Sequence, residues 1–98
     1  MKVPLTFHPE VKVEVAATIR WYDQSRAGLG HDFESATKRV LDAITDNPLG
    51  YGIAHRDIRE CLLTRFPYAV YDRALRNRIR VVAVCHTSRD PSVWQTRL

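Results

Sequence analysis

The chain has 98 residues, enough for one domain with a single core, and 45% of them are hydrophobic, the ordinary content of a soluble globular unit. No apolar run approaches the ~18 residues of a membrane helix, and Met1-Lys2-Val3-Pro4 does not read as a signal peptide. One domain over residues 1–98 is expected, in the cytoplasm, without contact to a membrane.

The net charge of +4 is unevenly spread. Residues 1–55 hold six Lys/Arg against seven Asp/Glu, a net −1, whereas residues 56–98 hold nine Arg, no Lys and four Asp/Glu, a net +5. Guanidinium groups offer a planar fork for phosphate and carboxylate where an ammonium offers a point charge. The second half is therefore expected to meet an anionic partner, nucleic acid or an acidic protein segment, unless its arginines only solvate a surface. Cys61 and Cys85 lack metal-type spacing, so reduced buried thiols are expected, with a cross-strand disulfide as the alternative.

In chain order, Val3-Pro4-Leu5-Thr6-Phe7 alternates as a short strand stopped by His8-Pro9, and Pro9 with Glu10 suits the start of a helix. From Glu10 to about Arg26, Val11, Val15, Thr18, Ile19 and Tyr22 form one helical face, and Val13, Ala17 and Trp21 form a second stripe. An apolar arc that wide either lies between layers or offers its spare stripe to a partner. Ala27-Gly28-Leu29-Gly30 breaks the helix. A second follows, with Phe33, Ala36, Thr37, Val40, Leu41 and Ile44 inward, and Asp46-Asn47-Pro48 ends it. Two helices joined so closely must be antiparallel neighbours.

Leu49 to His55 reads as a loop. Strands are expected at Ile58–Leu63, Phe66–Arg73 and Asn77–Thr87, the last two joined as a hairpin through Ala74-Leu75-Arg76-Asn77. The order β-α-α-β-β-β gives an α+β domain, an antiparallel sheet with an N-terminal helical hairpin packed on one face. Simple alternation in the last strand turns Ile79, Val81, Ala83 and Cys85 towards the helices and Arg80, Val82, Val84 and His86 away. Arg59 and Arg65 could then join Arg80 and His86 on an open, arginine-lined face able to hold a phosphate backbone.

His86 is either a general acid or base, or a structural hydrogen-bonder, since only Asp90 stands near it in sequence. Tyr68, Tyr71 and Trp94 either stack on bases or belong to the core. No phosphate loop, nucleophile elbow or paired metal ligands appear, so no cofactor and no metal are expected.

An ordered set of motifs over the whole chain resembles the RelE/ParE superfamily of type II toxin–antitoxin toxins. It includes Phe7-His8-Pro9-Glu10, Ile19-Arg20-Trp21-Tyr22, Leu29-Gly30 with Phe33, Ile44 with Asn47-Pro48, and Arg59. It continues through Arg65-Phe66-Pro67-Tyr68-Ala69-Val70-Tyr71 and Val84-Cys85-His86-Thr87-Ser88-Arg89-Asp90-Pro91 to Trp94 and Arg97. The resemblance implies the same β-α-α-β-β-β fold and a cognate antitoxin that wraps and neutralises the toxin. RelE-like members cut mRNA on the ribosome, and ParE-like members poison DNA gyrase. An Arg commonly opens the RelE-like segment that here begins at Tyr68. Another stands near Ser88, and a catalytic Tyr can stand where Trp94 does; an indole cannot exchange protons as a phenol can.

The expectation is therefore a ParE-like gyrase poison, with a RelE-like ribosome-dependent endoribonuclease and a non-toxic interaction domain as alternatives. Target or nucleic-acid binding falls to Arg59, Arg65, Arg80, His86, Arg89 and Trp94. If the chain is a nuclease, His86, Arg89 and Arg59 are its catalytic candidates. Antitoxin binding falls to Val13, Ala17 and Trp21.

Overall fold

The computed structural model describes residues 3–98, so the opening Met1-Lys2 lies outside the described residues. The elements are β1 (Leu5–Phe7), α1 (Pro9–Ser25), α2 (Leu29–Asp46), β2 (Ile53–His55), β3 (Ile58–Leu62), β4 (Tyr68–Ala74), β5 (Ile79–His86) and α3 (Ser92–Gln95). They form an α+β domain with one five-stranded sheet in the order β1-β5-β4-β3-β2. The pairings are antiparallel except β1 with β5, which run parallel and are separated in the chain by the helical hairpin and three strands.

Local chemistry starts and stops the helices. The His8 side chain caps α1 by accepting the Glu10 amide at 3.1 Å, with Pro9 in the first turn. The turn to α2 passes through Gly28 at φ 86°, a left-handed conformation that glycine adopts without strain. Gly28 has no capping side chain, and Asp23 of α1 supplies the missing acceptor by taking the Gly30 amide at 2.7 Å. Gly30 is buried, and a Cβ there would run into the Ile19 carbonyl and the Asp23 carboxylate. The glycine therefore sets how closely the helices approach.

The hairpin covers one face of the sheet. Phe33 and Ile44 are fully buried there with Val70, Val81 and Phe66. Tyr22, Phe33, Phe66 and Tyr68 interlock edge-on or tilted, with ring centroids 5.0–6.0 Å apart. A second cluster on the opposite face joins Ile58, Ala69, Tyr71, Val82, Ala83 and Cys85 under Trp94 of α3.

The alternation expected for β5 breaks at its middle. Asp72 pairs with Val81 but Tyr71 pairs with Ala83, so Val82 is an extra residue in a β-bulge. Ile79 and Val81 face the helices as expected, and Val82 faces away. Beyond the bulge the parity reverses: Val84 faces the helices, and Ala83 and Cys85 turn to the opposite cluster. Cys61 and Cys85 consequently lie on opposite faces as free, buried thiols, which excludes the disulfide alternative. Burial pushes the Cys85 thiol up to about 11. Two elements exceed the expectation: β2 lies in the segment read as a loop, and α3 follows the last strand.

Candidate functional site

The bulge and the strand register divide the expected basic face. Arg59 is paired with Asp72, and Arg80 with Arg73, at the end of the sheet near the β4–β5 turn. Arg59 lies on the helix-covered side, half-buried, and its guanidinium donates to the Tyr51 carbonyl, anchoring the loop before β2. Arg80 points to the other side and donates to the Phe7 carbonyl at 3.2 Å. Arg73 meets Asp57 through two contacts of 2.8 and 3.0 Å, and this pair holds the Asp57 carboxyl below its usual range. Arg59 and Arg80 thus lie on opposite faces, each engaged with a backbone carbonyl.

Tyr68 pairs with His86 at the other end of the sheet, and Thr87 donates to the Pro67 carbonyl at 2.9 Å, bringing the β3–β4 loop beside the turn after β5. Arg65 sits in that loop at φ 74°, with its guanidinium 5.5 Å from the Phe66 ring centre and 3.8 Å from Asp32. An exposed pair at that distance restrains it little. Arg89 is exposed on the turn after β5. Arg65, Tyr68, His86 and Arg89 therefore share one end of the molecule, and Arg59 and Arg80 do not belong to it.

His86 has a defined proton arrangement. Its Nδ1 lies 3.0 Å from the Ser88 amide and 2.8 Å from the Ser88 hydroxyl. An amide can only donate, so Nδ1 accepts, and neutral His86 carries its proton on Nε2. His86 packs edge-on against Tyr68 at 5.2 Å and lines a pocket of about 270 Å³ with Val13, Glu14, Ala17, Thr18 and Arg89. The ring thus offers its Nε2–H as a donor to an acidic or phosphate group, while Nδ1 is engaged by Ser88.

Trp94 departs from the expected binding face. It is 3% exposed and stacks on Tyr71 with ring centres 4.7 Å apart and planes at 21°, while His55 approaches it edge-on at 5.9 Å. Its place in the second core cluster follows the core alternative for the strand aromatics. The Tyr71 hydroxyl bonds Glu60 at 2.8 Å, and burial with that carboxylate raises its pKa well above the usual phenol value.

The second helical stripe is on the surface: Val13 and Trp21 are each 59% exposed and Ala17 is exposed beside them. Sequence reasoning missed a larger feature on the first stripe. Val11, Val15 and Ile19 do not close fully on the sheet, and with Ala16, Leu41 and Phe7 they line a cleft of about 900 Å³ between α1 and α2. Lys12, Lys38, Glu34 and His31 stand at its rim. The only sequence signal for it was an α1 apolar arc wider than one core face requires. Among the described residues, no cluster of His, Cys, Asp and Glu is arranged to hold a metal ion, and no helix is long and apolar enough to cross a membrane.

No protein-family model matches the sequence, and no curated protein matches it at a significant level. The solved structures do contain a match. A chain from the chromosomal ParDE toxin–antitoxin (TA) system from P. aeruginosa superposes with a TM-score of 0.77 over 87% of this chain and 96% of that one, at 12% identity. The chain therefore has the RelE/ParE-like fold that its motifs led one to expect.

Proposed function

We propose that the protein is the toxin of a type II toxin–antitoxin pair, which inhibits growth by ParE-like poisoning of DNA gyrase and is neutralised by a cognate antitoxin. The observation that carries this reading is an apolar cleft on the helical hairpin of a chain whose fold matches a component of a ParDE TA system. A cleft between two helices with charged residues at its rim suits an amphipathic helix that folds as it docks. The exposed stripe of Val13, Ala17 and Trp21, on the adjoining face of α1, extends the antitoxin's contact.

The basic end with Arg65, His86 and Arg89 is our candidate for the target contact. The gyrase reading is supported over the nuclease reading by the arrangement around these residues. Phosphodiester cleavage needs a base and an acid converging on one phosphate. Here Nδ1 of His86 is engaged by Ser88, Arg59 holds a backbone carbonyl at the far end, and Trp94 is buried. A basic surface that binds without bond-breaking fits this constellation better.

The reading is tested by inducing the chain alone, and with the antitoxin encoded beside it. The expected result is growth arrest relieved by the antitoxin. Growth unaffected by induction would overturn it in favour of a non-toxic interaction domain.

A further inference from the structure

The β5 strand has an incomplete edge. β1 pairs only with Ile79–Val81, so among the described residues no strand lies on that side of β5 from Val82 to His86. The register without a neighbouring strand coincides with Val81-Val82-Ala83-Val84-Cys85, a buried, uncharged run of strong strand formers without proline. Such a run on an open edge is a template for pairing with another chain. The sheet's other outer strand, β2, is blunted differently, being three residues long and irregular between Ile53 and His55.

Two side chains meet at the open part of β5, one from each layer. Glu14 comes from α1 on the helix side, and Arg97 comes from the segment after α3 on the opposite side. Glu14 Oε1 accepts the Val84 amide at 3.3 Å, and Arg97 donates to the Val82 carbonyl at 3.1 Å. The two close on each other with an Arg97 Nη2 to Glu14 Oε2 distance of 2.6 Å, at only 11% and 14% side-chain exposure. A carboxylate on the amide and a guanidinium on the carbonyl occupy the positions that a neighbouring strand's own groups would take.

We propose that the Glu14–Arg97 pair is an edge clasp: it fills the unpaired half of β5 and prevents that strand from pairing with the same strand of a second copy of this chain. The second copy is the partner that the edge fits. Two uncharged Val82–Cys85 segments related by a twofold axis are self-complementary in antiparallel register. An acidic segment would gain nothing from the apolar run itself. The proposal is independent of the reading as a gyrase poison, because it concerns the free chain alone.

The test combines sedimentation of the purified full-length chain over a concentration series with hydrogen exchange at the Val84 amide. The wild type is expected to remain monomeric. Glu14→Ala and Arg97→Ala are each expected to form a dimer as concentration rises. In dilute Glu14→Ala the Val84 amide should exchange at least about tenfold faster, the loss of one charge-assisted hydrogen bond, and dimerisation should protect residues 82–86 again. Exchanging the two charges, Glu14→Arg with Arg97→Glu, keeps an ion pair but sets a donor against the Val84 amide and an acceptor against the Val82 carbonyl, so it should dimerise like the alanine variants. If an alanine variant does not fold, Glu14→Leu, which fills a similar volume without an acceptor, takes its place under the same criteria. Variants that fold and stay monomeric while Val84 exchange accelerates would overturn the proposal. So would unchanged Val84 exchange, a dimer protected at Ile53–His55 instead, or association with a different protein in place of a second copy.

Discussion

Asp72 is the residue whose surroundings fit its chemistry least well. It is 1% exposed, and neither carboxylate oxygen has a hydrogen-bond partner. Arg59, opposite it in register, donates to the Tyr51 carbonyl and offers the carboxylate only its charge. Desolvation prevails over the attraction of Arg59, and the carboxyl pKa rises from 3.8 to about 6. A raised carboxyl pKa means that the folded chain holds a proton which the unfolded chain has released between those two values. The stability this group contributes is full below about pH 4 and lost as pH rises through about 6. Two pKa units correspond to about 3 kcal/mol. Asp72→Asn, neutral at every pH, should flatten that part of the profile and raise stability at pH 7.5 by about 1–3 kcal/mol, measured by denaturant titration at several pH values. None of this was legible in the sequence, where Asp72 sits in an ordinary strand between Tyr71 and Arg73. Its burial depends on the parity of β4 and on a helical hairpin folded from a distant part of the chain, Pro9–Asp46.

At the scale of elements, the helical hairpin was readable because its signal is periodic and punctuated: apolar residues at helical spacing, Pro9 at one end, Gly28 at the turn, Asn47-Pro48 at the other end. Gly30 carries more than a break, since it lies inside the first turn of α2 where the helices touch. Gly30→Ala should separate them or lose the Asp23 bond, costing about 2–4 kcal/mol by overpacking and a lost cap and visible as a lower Tm. Gly28→Ala strains only the turn and should cost about 1–2 kcal/mol.

The faces of β5 were misread for a definite reason. A bulge is one extra residue, and one extra residue reverses every side chain beyond it. Arg80 and His86, assigned to one face by simple alternation, therefore lie on opposite faces. β2 and α3, at three and four residues, are too short for any periodicity to register.

The whole molecule combines a basic end, where Arg65, His86 and Arg89 gather, with an apolar cleft on the helices. The count of arginines foretold a basic surface in the second half of the chain. It could not say which of them would be held by backbone carbonyls, because those bonds depend on tertiary placement. The cleft and the stripe make separable predictions for antitoxin binding. Leu41→Arg sets a guanidinium among the apolar residues of the cleft and should weaken binding at least about 100-fold, given the cost of burying an unpaired charge. Trp21→Ala, on the exposed stripe, should weaken it about 10-fold or more, as removal of an aromatic anchor does. Both are read by calorimetric titration, with thermal unfolding as the control for folding.

Gyrase activity in the presence of the purified chain is the measurement that decides whether the protein acts on that enzyme by binding, as proposed. Inhibited supercoiling and accumulated cleavage complexes are expected, both abolished by antitoxin and weakened by Arg89→Ala. Gyrase unaffected at micromolar concentrations of the chain, with ribosomes instead cutting mRNA at codon boundaries, would contradict the proposed function.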